Sequence, residues 1–372
     1  MHWKLFALMG GLAVAVTIML LLGYGTPAKD EIKIGFIGPL TGDYAIIGVE
    51  NLRGIELAVD EINSMGGIDG KIVRVIVEDD ELSIPRTISA FEKLTSADGI
   101  SFVFTVSYGG FISTAPLADQ KKVVLIESLD TSKEIADAGR EYAFGIGVYD
   151  EAIGEMLSEY AYANLGKEAG IIYNNNEAFM LLTKNSFHER FEHLGGSVEV
   201  QEYSTDTKDF RAHIAKIRAA NPDMVVILGF DEAGFVARQI REMGISIPLL
   251  SIDTTLSEGF RKNAGEAYEG IYFTSWESED KKAEQEFIES YQNKYGEKPQ
   301  QILFVVTGYD AMKAMAKSME DSGFSTEQVK ENLYALLDFE GISGNLTMGE
   351  DGIVRTIVEK MYRIEDGKPV RI

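Results

Sequence analysis

From Glu31 onward, short runs rich in β-branched and aromatic residues alternate with longer stretches whose apolar residues recur at three- and four-residue spacing. Ile32 to Ile37 (IKIGFI) reads as a buried strand, and Gly38-Pro39 and Thr41-Gly42 punctuate the loop after it. Val49, Leu52, Ile55, Val59 and Ile62 then give 49–65 one apolar face, and Gly66-Gly67 ends that helix. Lys71 to Val77 is the next strand, followed by a helix over 84–97, a strand at 102–106, a helix over 110–120 and a strand at 123–126. A second series opens near 150: helix 151–164, strand 169–173, helix 178–194, strand 197–203, helix 208–219, strand 224–228, helix 231–243 and strand 248–252. Strands separated by helices of this length are βαβ units, so each series predicts a parallel sheet covered on both faces. Two such sheets make a two-lobed α/β protein.

The last hundred residues hold mainly helices, expected at 279–295, 302–322 and near 326–337, then β-like pieces at 345–348, 353–358 and 360–364. They are expected to complete the two lobes, with the chain crossing near 147–150, 275–278 and 342–345. Several crossings form a hinge, which lets a cleft close on a ligand.

Composition narrows the function. Lys plus Arg number 35 against 59 Asp plus Glu, a net charge of −24, and such a surface repels phosphate backbones. Nucleic acid is therefore excluded as the main partner. Cysteine is absent, which removes disulfides, thiolate metal sites, cysteine nucleophiles and lipid attachment through cysteine. Residues 1–28 carry Lys4 and then an almost wholly apolar run from Leu5 to Leu22, read as an export signal or an uncleaved N-terminal membrane anchor. Either reading puts the body of the protein outside the cytoplasm.

Catalytic patterns are missing from the sequence. It has no Walker spacing, no GxGxxG after a strand, no GxSxG elbow and no HExxH. His188 and His193 are five apart and do not share a helical face; Glu78 to Glu81 lacks the spaced ligands of a calcium loop. No catalytic residue, metal or cofactor is expected.

The informative positions are the carboxyl ends of the strands, where open α/β sheets bind ligands. After the third strand comes Ser107-Tyr108-Gly109-Gly110, directly before a helix start, a place where free amides and a hydroxyl can hold a carboxylate. Glu127 to Ser132 adds hydroxyls at the next turn, and 174–179, 229–231 and 253–255 are the equivalent ends in the second series. Taken singly, each is ordinary turn or N-cap chemistry. The fold brings them to one cleft.

The stretches IKIGFIGPLTGDYAIIGVENLRGIELAVDEINSMGGIDG at 32–70, APLAD at 115–119, DFRAHIAKIRAANPDMVVILG at 209–229, ARQIREMGISIPLL at 237–250, TGYDAMKAMAKSMEDSG at 307–323 and FEGISGNLTMGEDG at 339–352 keep their order along the chain. In these the sequence resembles the type I periplasmic solute-binding proteins, in particular the branched-chain amino acid (Leu/Ile/Val) family of ABC-transporter binding proteins. The resemblance implies two Rossmann-like lobes joined by three crossovers, with lobe 1 at 29–147 plus 278–343 and lobe 2 at 148–277 plus 344–372. It implies an amino acid held between the lobes, its carboxylate by hydroxyls and amides of the first and its ammonium partly by an acid of the second. Carried over by position, the first-lobe turns fall on Ser107, Tyr108, Gly109 and Gly110 and on Ser128, Leu129 and Thr131, with Tyr44 or Ile47 supplying the first loop. In the second lobe the positions fall on Phe179, Phe230 and the acidic Asp253. Three features depart from the family pattern. Gly109 stands where a carboxylate-binding serine is usual, Glu127-Ser128 replaces Ser-Pro, and Asp130 adds a carboxylate. Extra acids of this kind select a cationic or amide ligand over a simple amino acid.

The resemblance implies an extracytoplasmic solute-binding protein, not an enzyme, that takes a small polar ligand, an amino acid of branched-chain type or an amide, and delivers it to an ABC permease in the membrane. The alternative is an anchored sensor module reporting the same ligand to a separate membrane partner.

Overall fold

The computed structural model describes residues 31–42, 44–138 and 141–372, so the expected export segment at 1–28 lies outside the described residues. Among these residues no helix is long and apolar enough to cross a membrane.

The first series folds as β1 (Glu31–Gly38), α1 (Ala45–Ser64), β2 (Ile72–Asp79), α2 (Ile84–Glu92), β3 (Phe102–Thr105), α3 (Tyr108–Lys121) and β4 (Val124–Glu127). The helix expected over 84–97 is α2 continued by a wider π turn at Lys93–Ala97. After β4 come β5 (Asp130–Thr131), α4 (Lys133–Ala138), β6 (Ala143–Gly145) and β7 (Val148–Tyr149), short pieces below the length that sequence periodicity registers. The sheet order is β2-β1-β3-β4-β6, parallel throughout. Alternate residues face opposite sides: Ile34, Phe36, Phe104 and Ile126 enter one core, and Ile37, Val103 and Leu125 another. Burial on both faces is the reason these strands read as continuous apolar runs.

The second series gives α5 (Asp150–Asn164), β8 (Glu168–Asn174), α6 (Ala178–His193), β9 (Ser197–Tyr203), α7 (Arg211–Ala219), β10 (Met224–Leu228), α8 (Ala233–Glu242), β11 (Leu249–Ser251), α9 (Glu258–Ala264) and β12 (Tyr272–Ser275). Met224, Val226 and Leu228 pack on one side of β10, Val225 and Ile227 on the other.

The remaining chain forms α10 (Lys281–Tyr295), α11 (Ile302–Met319), α12 (Thr326–Tyr334), β13 (Phe339–Glu340), β14 (Asn345–Leu346), β15 (Lys360–Glu365) and β16 (Lys368–Arg371). Helix α11 lies against α1 at a distance only glycine permits. A Cβ on Gly54 would come within 1.9 Å of the Val305 carbonyl oxygen. The second sheet runs β16-β15-β12-β11-β10-β8-β9. It is not wholly parallel, because β15 and β16 pair antiparallel. Their turn at Asp366-Gly367, with φ of 52° and 70°, is a two-residue hairpin connection, and such a turn can only reverse the chain.

The third passage between sheets differs from the expected 342–345. Asn345–Leu346 pairs with β13, Gly352 and Val354 exchange backbone hydrogen bonds with Gly145 of the first sheet, and the chain reaches the second sheet only at Lys360. The expected boundary at 343/344 thus precedes the last residues bonded to the first sheet. The expected strand at 353–358 is reduced to isolated bridges at Ile353 and Val354. Apolar alternation there fits a crossover segment packed on both lobes as well as it fits a strand.

Candidate functional site

Tyr44, between β1 and α1, reaches across to the other sheet. Its ring meets that of Phe230 edge to face at 5.6 Å, and its hydroxyl donates to Glu177. Phe230 follows β10 and Glu177 follows β8, so the carboxyl ends of the two sheets face each other. Helices α3 and α6 also touch across this gap.

On the first sheet, Ser107 caps α3. Its Oγ accepts from the Gly110 amide at 3.2 Å, and its carbonyl accepts from Phe111 at 2.6 Å. Gly109 and Gly110 thus put the first-turn amides of α3 at the cleft end of β3, where a helix N-terminus favours negative charge. Gly109 itself backs onto Ile84. The Tyr108 hydroxyl lies 2.7 Å from Ser132 Oγ and donates to Glu134 at 3.1 Å.

Ser128, Leu129 and Thr131 are bound into the crossover. Ser128 Oγ donates to Asn51 Oδ1 at 2.8 Å, and Asn51 Nδ2 returns a bond to the Ser128 carbonyl at 2.9 Å. Thr131 Oγ1 meets the carbonyls of Val354 (2.9 Å) and Val148 (3.1 Å), and the Leu129 carbonyl accepts from Val148. Those hydroxyls tie the passages together, and Leu129 is buried in the core. At Gly147 a Cβ would lie 2.1 Å from the Leu129 oxygen, so the two crossover strands touch backbone to backbone. Sequence reasoning missed Asn51; the available signal was an amide within the apolar face of α1.

A second anchor, of the loop at 342–343, was also missed. Buried Asp310 on α11 accepts from the amides of Ile342 (2.9 Å) and Ser343 (2.7 Å) and from the Ser343 hydroxyl. Burial pushes its carboxyl up, the Ser343 and Ile342 donors pull it back, and the balance is about 6. Nearby, Trp276 Nε1 donates to the Ser343 carbonyl at 3.0 Å.

On the second sheet, Phe179 sits in the first turn of α6, packed against the core. Glu232 accepts from Asn174 Nδ2 at 2.8 Å, from the Tyr203 hydroxyl at 3.1 Å and from the Phe230 amide at 3.3 Å, which fixes the turn that presents the Phe230 ring. Thr254 Oγ1 donates to the Gly229 carbonyl at 2.8 Å and holds the Asp253 turn beside it. Asp253, half-buried, is pushed above the carboxylate range by burial, with the Thr254 amide opposing.

Carboxylates dominate the surroundings. Glu127 ends β4 and is fully buried; burial, then the charge of Asp130, pushes it well above the ordinary range. Asp130 is raised by burial and by Asp253. Asp150, the first residue of α5, is raised by burial, then by Asp130, Glu151 and Glu359. Glu359, just before β15, is raised by burial and by Asp253. Asp150 and Glu359 escaped sequence reasoning because a lone acid at a helix start or strand end is ordinary.

Two open depressions on the described surface lie elsewhere. One of about 670 Å³, lined by Glu258, Arg261, Lys262 and Glu266, also touches Glu269 and Gly367, at the amino end of β12 and opposite the cleft.

Residues 31–364 match the sequence profile of the family described as periplasmic binding protein. The chain is similar to Leu/Ile/Val-binding protein homolog 1 of Brucella abortus, 25% identical over 365 residues that cover 97% of this chain and 96% of that one. Among solved structures it is similar to the branched-chain amino acid transporter substrate binding protein LivJ of Streptococcus pneumoniae in complex with isoleucine, with a TM-score of 0.78, 27% identity, and coverage of 91% and 98%. The leucine binding protein LivK of Thermotoga maritima shares the fold at a TM-score of 0.81 and 23% identity, covering 92% and 97%.

Proposed function

The chain belongs to the periplasmic binding protein family, and from that premise we propose that it is an extracytoplasmic solute-binding protein that closes on a small polar ligand between its lobes. Release is to an ABC permease, with the solute chemically unaltered. The observation that carries this reading is the meeting of Tyr44 with Phe230 and Glu177, which sets the strand ends of one sheet against those of the other. The names of the Brucella and Streptococcus relatives point to amino acids as the class to try first.

In this reading the lobes divide at 146–150, 276–280 and 354–360. The first-turn amides of α3 take an anionic or carbonyl group of the ligand, Tyr44, Phe179 and Phe230 wall it, and Asp253 takes its positively charged end. Ser128 and Thr131 serve the hinge through their internal hydrogen bonds.

A thermal-shift screen of the purified chain against amino acids, amides, amines and small carboxylates tests the reading, since a solute bound only by the folded form raises apparent stability. Calorimetry on each hit, followed by mass analysis of the recovered solute, is expected to give saturable binding of an unchanged molecule. A chemically altered solute, or no hit in any class, contradicts it.

A further inference from the structure

Five acids gather where the crossovers border the cleft. Glu127 ends β4, Asp130 opens β5, and Asp150 follows β7; Asp253 follows β11, and Glu359 precedes β15. They are linked electrostatically in pairs. Asp253 acts on Asp130 and Glu359, and Asp130 acts on Glu127, Asp150 and Glu359. Asp80 and Glu151 add to the same field. Among the described residues no lysine or arginine is ion-paired with any of the five. Arg355, on the crossover segment that passes them, is held by Asp351 at 2.7 Å and covers the Tyr149 ring at 5.0 Å.

A second observation points to a missing partner. Both carboxylate oxygens of Asp150 are buried without a hydrogen bond, as is Thr255 Oγ1 beside Asp253, and both residues have no exposed surface. A buried carboxylate left without a donor or counter-charge costs several kcal/mol when ionised, a cost that a bound cation offsets. A metal ion does not fit: among the described residues no three such groups converge closely enough to hold one. The carboxylates instead interact in sequence, Asp253 with Asp130 and Asp130 with Asp150, and the rings of Tyr44 and Phe230, which meet across the two sheets, offer faces that attract cations.

We infer that the solute is an organic cation with two protonated nitrogens on a short chain, the chemistry shared by aliphatic diamines and dibasic amino acids. One nitrogen lies at Asp253 and Asp130, and the other reaches toward Asp150 and Glu359. The inference rests on the proposed interlobe site and names its substrate class. A branched-chain zwitterion brings one positive charge and one further carboxylate into this field, and so leaves its excess of negative charge as it was.

Calorimetry of the full chain at pH 7.5 against putrescine, cadaverine, lysine, arginine, leucine, isoleucine and calcium chloride tests it. Expected is binding of at least one of the four cations at least tenfold tighter than leucine, weakened at least tenfold in Asp150→Asn and in Asp130→Asn. A circular-dichroism melt shows whether each variant is folded, and Glu359→Gln serves where one is not. Diamine binding without lysine or arginine, or the reverse, identifies the source of the charge, and either supports the inference. Tighter binding of leucine or isoleucine overturns it while leaving the interlobe site standing, as does a response to calcium alone. Silence from all four cations overturns it too. If the wider solute screen is also silent, the binding reading falls with it.

Discussion

Replacing Asp130 by asparagine is expected to stabilise the ligand-free protein at alkaline pH. Asp130 is pushed up to about 7 by burial and by the neighbouring Asp253, against about 3.9 for an aspartate in an unfolded chain. Because the folded value lies above the unfolded one, the stability is whole below about pH 4 and is lost as the pH rises through about 7. Three pK units correspond to roughly 4 kcal/mol at pH 8 as a ceiling. Asp130 is only half-buried, and solvent screening brings the usable figure to about 2 kcal/mol. For lobes of this size that is a rise in melting temperature of roughly 4–8 °C. The assay is a thermal melt of the ligand-free wild type and of Asp130→Asn at pH 4.5 and pH 8, at one ionic strength. The variant should melt higher at pH 8 by that margin and within about 2 °C of wild type at pH 4.5. The facing acids Asp253, Asp150, Glu127 and Glu359 titrate in both proteins, so the comparison isolates the one charge. An equal or lower melting temperature at pH 8, or the same difference at both pH values, refutes the electrostatic reasoning.

Other substitutions probe other parts of the account. Asp253→Ala should weaken solute binding at least tenfold, about 1.4 kcal/mol, in calorimetry; unchanged affinity removes Asp253 from the site. Asp310→Ala strands two buried amides and a hydroxyl of the 342–343 loop and should cost about 2–5 kcal/mol in denaturant unfolding. Gly54→Ala drives a methyl into the Val305 carbonyl, so α1 and α11 must part, at a cost of about 3 kcal/mol or more; a melt within a degree of wild type contradicts that packing. Tyr44→Ala removes the ring contact with Phe230 and the bond to Glu177, and should speed solute release in stopped-flow measurements while barely moving the melting temperature.

Legibility in the sequence followed the physics of burial. Strands such as Met224–Leu228, buried on both faces, declare themselves as apolar runs, and their spacing by helices announces parallel sheets. Two-residue pieces such as Asp130–Thr131 and Val148–Tyr149 carry no period, so the crossover detail was invisible. The antiparallel edge at Lys360–Arg371 was hidden for another reason: its turn, Asp366-Gly367, is a hairpin signal between runs only partly apolar. Asp253 and Asp130 stood out beside a family pattern. Asp150, Glu359 and Asp310 are remote in sequence, and only folding brings the first two toward the others and sets Asp310 on the 342–343 loop. Ser128 and Thr131 illustrate the converse. A hydroxyl at a strand end suggests a ligand group, but whether its bond turns inward is a property of the fold.

The absence of cysteine permits the most direct test of closure around a solute. Arg86→Cys and Asp206→Cys, at exposed positions near the carboxyl ends of β2 and β9, give one spin label on each side of the cleft. Double electron–electron resonance should show a broad, longer distance distribution in ligand-free protein that collapses to one shorter, narrow distance when the solute found by calorimetry saturates it. The same distribution with and without saturating solute would contradict the closing of two hinged lobes.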